Sequence, residues 1–211
     1  MAGIRFSKNY VGGSIWMHDA FSAENLLPNG GHLRSDKIPA INGVKQLPSG
    51  TLVGRRAGTS QFVPATVTGG TISSTLGTVT TLDAAAGDTS VTVENADGFA
   101  VGDAITVAGT GNTVTALNKA EGTVTLGTAL AAAVAAGSEV RLTTAVALTD
   151  LYLTANDCHD VDGYTIYAGK EISLLRHGRM VYINRLPNYA TLPAAVLTAI
   201  RDRYQTIVVP A

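Results

Sequence analysis

The 211-residue chain has one cysteine, Cys158. It therefore forms no internal disulfide and fits no four-ligand zinc pattern. Aromatic residues make up only 6% of the chain and charged residues 15%, and the formal charge is -1. That balance lacks the basic excess of a dedicated nucleic-acid binder. The longest apolar stretch, Ala129 to Ala136, falls far short of the roughly 18 residues of a membrane span. The first twenty residues contain no continuous apolar signal region, so the expectation is a protein made and folded in a cytoplasm. What is present is apolar bulk, 45% of the residues, on a chain long enough for one or two domains with a real core. Stability must come from packing or from assembly.

Composition divides the chain in three. Residues 1–65 carry seven Lys or Arg against three acids, residues 66–145 two against seven, and residues 146–211 six of each. The middle part has 18 Thr and a single aromatic, Phe99. It reads as short β-branched runs set between Gly, Asp and Asn: Thr78 to Leu82, Thr89 to Glu94, Ala104 to Ala108, Thr113 to Leu117, Thr123 to Leu126 and Glu139 to Thr143. Such spacing predicts a small barrel or sandwich. Ala129 to Ala136 is expected as a helical turn on the propensity of alanine.

The first 45 residues hold no sustained period of 2 or 3.6, yet they contain Phe6, Tyr10, Ile15, Trp16 and Phe21 among paired glycines. Large apolar side chains without a pattern for burying them are either packed on their own domain or docked on another chain, and the enrichment of aromatics in interface anchors favours an extended docking arm. The last third returns to regular patterning. Val146 to Thr154 and Thr165 to Tyr167 read as strands, and Ile172 to Leu175 with Met180 to Ile183 as a hairpin about His177-Gly178. A helix follows, capped by Thr191 and with Pro193 in its first turn, burying Val196, Leu197, Ile200 and Tyr204 on one face. Thr206 to Val209 reads as a final strand.

Catalytic and cofactor signatures are weak. Gly109-Thr110-Gly111-Asn112-Thr113-Val114 begins like a dinucleotide fingerprint but ends on Val114 with a strand to follow, so a hairpin turn is the better reading. In Asn156 to Gly163 a calcium-loop register puts Cys158 first and Gly169 where a bidentate Glu belongs. Cys158 and His159 have no third group to orient them as a nucleophilic pair. That segment is expected as a polar loop whose Asx side chains bond local backbone. His18, His32, His159 and His177 lack the spacing of a helical metal pair. No catalytic residue, metal or cofactor is assigned. Arg55 and Arg56 are candidate contacts for an acidic partner surface.

Three stretches, LPSGTLVGR (47–55), VALTDLYLTANDCHDVDG (146–163) and AGKEISLLRHGRMVYINRLP (168–187), together with the C-terminal helix, resemble the core of head decoration proteins of the lambda type from tailed phages. The segment AGDTSVTVENADGFAVGDAITV (86–107) and the strands after it resemble small β-barrel modules of phage virion proteins. The fold expected is mainly β: a compact decoration core with one C-terminal helix, formed by residues 46–65 and 146–211, an inserted barrel over 66–145, and the extended N-terminal arm over 1–45. The resemblance implies a structural virion protein and no enzyme. Its partners would be the major capsid protein and its own copies, as a homotrimer or homodimer, with no direct nucleic acid and no membrane. Its place would be the outer surface of the capsid, after assembly in the host cytoplasm. The alternative is a virion-anchored adhesion module in which the barrel binds host-surface carbohydrate, with Phe99 as its one aromatic.

Overall fold

A computed structural model describes residues 26–28, 30–34, 38, 40–41, 44–159, 170–176 and 180–208. The protein is mainly β with one C-terminal helix. Two sheets dominate, one a near-closed barrel and the other a half-barrel.

The barrel lies in the Thr-rich middle. Its six strands are β8 (Gly77–Val79), β9 (Ser90–Thr92), β10 (Ala104–Val107), β11 (Thr110–Asn118), β12 (Thr123–Leu126) and β13 (Glu139–Leu142), in the order β8-β13-β10-β11-β12-β9. A bridge between Thr80 and Val93 brings the two edges together. Alternation explains the closure. Val91, Val93, Ile105, Val107, Val124, Leu126, Val140 and Leu142 point inward on every second residue, and Thr92, Thr106, Thr125 and Arg141 between them face outward. Each buried Val or Leu contributes on the order of 1.5–3 kcal/mol relative to exposure. Ala108 and Gly109, at φ +48° and +83°, make the two-residue turn between β10 and β11. This is the hairpin expected of the Gly109 to Val114 run.

One turn occurs three times in the barrel, at Ala85 to Asp88, Ala100 to Asp103 and Ala135 to Ser138. In each, the fourth N–H donates to the first carbonyl at 3.2 Å, and the third residue is a glycine with φ between +83° and +93°. A side chain at that third position would be strained. Asp88 and Asp103 also accept the first N–H, at 2.7 and 2.8 Å. The Ala129 to Ala136 stretch is not helical. Val134 and Ala84 exchange both of their backbone hydrogen bonds, and Leu130 pairs with Gly87 and Asp88. Burial of Leu130 and Val134 through this long-range pairing outweighs alanine's local preference.

The half-barrel combines β1 (Gly31–Leu33), β4 (Leu52–Arg55), β5 (Gln61–Pro64), β15 (Thr149–Thr154), β17 (Lys170–Ile172) and β18 (Leu174–Leu175), in the order β17-β1-β5-β4-β15-β18. Only Ser173 separates β17 from β18, so a single segment supplies both edge strands. Both faces are buried, which is why the strands read as continuous apolar runs. Val53 and Leu174 face one cluster with Leu33, Ile38, Leu47, Phe62, Cys158 and Ile172. Their neighbours Leu52 and Leu175 face the other, with Leu153, Val181, Ile183, Leu186, Val196, Ile200 and Tyr204. β2 (Ala40–Ile41), β3 (Val44–Leu47) and β16 (Cys158–His159) form a small sheet beside it.

The helix α1 (Ala194–Arg203) lays Val196 and Ile200 into the second cluster. Pro193, not Thr191, is its N-cap, and no side chain caps it. The Thr191 hydroxyl donates to the Asn188 carbonyl instead. β19 (Met180–Tyr182) pairs in parallel with β20 (Gln205–Ile207) rather than closing a hairpin on β18. Residues 177–179, where that hairpin turn was expected, and the expected strand Thr165 to Tyr167 lie outside the described residues.

The two bodies meet at β6 (Thr66–Thr68), β7 (Thr71–Ser74) and β14 (Val146–Ala147), where Ser74 and Val146 are direct partners across the ladder. The chain thus leaves for the barrel and returns from it at adjacent points. A polar joint reinforces the connection. Arg56 grips Asp103 with two hydrogen bonds of 2.5 and 2.6 Å, Asp97 accepts the N–H groups of Ser60 and Gln61, and the buried Arg34 donates to the Gly77 carbonyl at 2.6 Å. Val63 and Leu148 flank the barrel in sequence yet pack into its core.

Candidate functional site

A groove opens where α1 crosses the end of the half-barrel, and its origin is a phenol set into a β ladder. β15 and β18 pair only at Leu153 with Leu175 and at Thr154 with Leu174. At that point the Tyr204 hydroxyl accepts from the Leu153 N–H at 3.1 Å and donates to the Leu175 carbonyl at 2.7 Å. The phenol stands in for a strand-to-strand hydrogen bond. Burial pushes its pKa above the ordinary tyrosine value of 10.0, which keeps the donating form in place. Beyond it β18 ends, leaving an open groove of about 600 Å3. Thr149, Asp150 and Leu151 of β15 line it, with Ala199, Asp202 and Arg203 of α1, and Arg176 just past β18.

The β15 wall is irregular. Asp150 has φ +46°, where the register between β15 and β4 shifts from Thr149 opposite Arg55 to Tyr152 opposite Val53. A left-handed residue other than glycine costs about 1–2 kcal/mol, and Asp is among the residues that tolerate it best. Its carboxylate accepts from Arg55 Nε at 2.8 Å. Both partners are more than a third exposed, so the pair adds little stability and serves mainly to orient.

The cations are held on aromatic faces. The Arg203 guanidinium stands 4.0 Å from the Tyr152 ring centroid, Tyr152 meets Phe62 edge-on at 5.8 Å, and Arg55 lies 5.4 Å from the Phe62 ring. Arg203 Nε is buried and has no hydrogen-bond partner.

Of the sequence-derived site residues, Phe6, Tyr10, Ile15, Trp16 and Phe21 lie outside the described residues. The described part of residues 1–45 belongs to the body: β1 is bonded on both sides, Leu33 and Arg34 are buried, and Leu27 donates to the Leu174 carbonyl. Arg55 borders the groove through Asp150. Arg56 is engaged by Asp103, whose hydrogen bonds raise its pKa against the opposing effect of burial. Where it is described, the 156–163 segment departs from a locally bonded polar loop: Asp157 accepts from the distant Ser49 N–H and Asn156 from the Ser173 N–H, Asn156 Nδ2 donates locally to the Asp157 carbonyl, and Cys158–His159 pair as β16 with β3. Phe99, the insert's one aromatic, is 2% exposed and belongs to the barrel core, so it offers no platform for a sugar. Among the described residues no three His, Cys, Asp or Glu side chains come together as metal ligands would.

In the sequence Arg203 stands at the helix end, where the dipole favours cations, and Arg176 forms a small basic pair with Arg179 that is either solvated or faces an acidic patch, so neither marks a groove. Their convergence depends on α1 crossing the open end of the sheet, for which the sequence carries no local signal. The chain matches no protein-family model, no curated protein and no solved structure.

Proposed function

We propose that this protein is a capsid decoration protein, a structural virion component that binds the outer surface of a phage head and bridges neighbouring major capsid subunits. One observation carries the reading. The first of the stretches that resemble lambda-type decoration proteins is separated from the others by the 90 residues 56–145, and yet they converge on one body: β4 and β15 are neighbours, β18 follows, and α1 covers the same face. The insert leaves and rejoins that body between paired residues, so it interrupts the sequence without interrupting the core.

The mechanism is linkage. Each copy adds binding energy available only to the assembled lattice, and a ligand specific for one state stabilises that state by mass action. Copies joined as a trimer or dimer around a lattice symmetry axis multiply the effect through avidity. The test is heating purified heads with and without saturating protein. Protected heads should rupture at a higher temperature; equal rupture temperatures refute the proposal.

A further inference from the structure

We infer that the groove between β15 and α1 is a docking site for an extended, carboxylate-bearing segment of a protein partner. The carboxylate would be taken by Arg203 and Arg176, with a neighbouring apolar side chain set on Leu151. Arg203 is pre-positioned, since Tyr152 holds its guanidinium at the groove wall. Arg176 is exposed at the same groove, and no described residue forms an ion pair with it. Counting Arg55, Arg176 and Arg203 against Asp150 and Asp202 leaves one surplus positive charge. Because Arg55 already occupies Asp150, the uncommitted groups are two cations and Asp202. Asp202 repels a carboxylate on its own side and so directs it toward the arginines. The groove, in which sheet and helix are locked through Tyr204, has no ordering cost of its own to meet on binding; the segment meets its own.

The inference rests on the proposed function only for whose segment this is, namely that of a capsid subunit. The probe is the blocked peptide acetyl-Thr-Val-Glu-Val-Thr-amide, titrated into the 15N-labelled full chain alongside its Gln counterpart and sodium acetate. The Glu peptide should shift the amides of Thr149 and Leu151 and the Arg203 Nε–H resonance saturably, and the Gln peptide should bind about fivefold more weakly. Arg176→Ala, at an exposed position, should weaken the Glu peptide by about fivefold, and Asp202→Asn should tighten it about twofold. Arg203→Lys should weaken binding, read at the Thr149 and Leu151 amides, without unfolding the helix.

Absence of saturable shifts at the groove overturns the inference, as does Arg176→Ala binding like the wild type or acetate alone giving the same shifts at equal concentration. Binding of Arg176→Ala to heads separates the two readings. If the peptide result holds, weakened head binding supports both. Lost peptide binding with unchanged head binding overturns the assignment of the segment to the capsid while leaving cementing intact.

Discussion

Replacing Tyr204 by Phe removes one oxygen and tests the ladder insertion directly. The ring remains, so packing against Val196 and Ile200 is kept, while the Leu153 N–H and the Leu175 carbonyl both lose a partner. Leu153 and Leu175 are 0% exposed and Tyr204 is 3% exposed, so water does not readily replace the hydroxyl. A buried group left unsatisfied costs about 1–3 kcal/mol. With two such groups and some relaxation, the expected loss is roughly 2–4 kcal/mol, read as a lower urea midpoint by helix circular dichroism. A second signature follows from ionisation. The folded pKa lies above the unfolded value, so the wild type's contribution is complete below about pH 10 and is lost as pH rises through the folded pKa. The difference between wild type and Tyr204→Phe should therefore narrow above about pH 10. A difference under about 0.5 kcal/mol at neutral pH, or one that persists unchanged in alkali, refutes the insertion as a stabilising element.

Ile200→Asp places an unpaired charge in the cluster beneath α1 and should cost several kcal/mol, and a wild-type melting curve would contradict the packing. Asp103→Asn breaks the two-bond grip on Arg56 and should cost about 2–3 kcal/mol, with Arg56→Met recovering part of the loss in the double variant, as a urea titration would measure. Replacing residues 75–145 by a short Gly-Ser linker should leave the α1 signal intact but lower stability, because Val63, Leu148 and Arg56 lose their partners; an insoluble product would show that the half-barrel depends on the barrel. Removing residues 1–25, which spares β1, should weaken binding to heads more than tenfold if Phe6, Tyr10, Ile15, Trp16 and Phe21 dock there. Unchanged binding rejects the docking arm.

The barrel strands were legible in the sequence because each carries its own signal. Ala104 to Val107, Thr123 to Leu126 and Glu139 to Leu142 alternate apolar and polar residues, and every inward position is buried. Misreadings fell where distant partners decide. The alanine stretch pairs with residues 80–88 rather than coiling, and β19 takes β20 as its partner instead of the nearer β18. Leu52-Val53 and Leu174-Leu175 reveal buried strands but not which face meets which cluster. The groove was not legible at all. Nothing near Asp150 announces a left-handed residue, since the usual glycine or asparagine signal is missing, and the role of Tyr204 depends on a ladder closed by residues 29 and 51 positions away.

The segment that serves both edges of the half-barrel also dictates an order of events during synthesis. Every strand of the barrel sheet lies between residues 77 and 142, so that sheet can pair as a continuous stretch of chain soon after Leu142 leaves the ribosome, with Leu148 following to fill its core. The half-barrel must wait, because Gly31 meets Ile172, 141 positions later, and β15 meets its second neighbour only through Leu174 and Leu175. Long-range closure of this kind is slow when the intervening chain is loose. Here the intervening chain is not loose. The barrel, already folded, brings Ser74 and Val146 side by side, converting a closure across more than a hundred residues into one across a few dozen. The insert thus acts as a splint for the body it interrupts, and β17 and β18 arrive last to lock a sheet whose other strands are already in place.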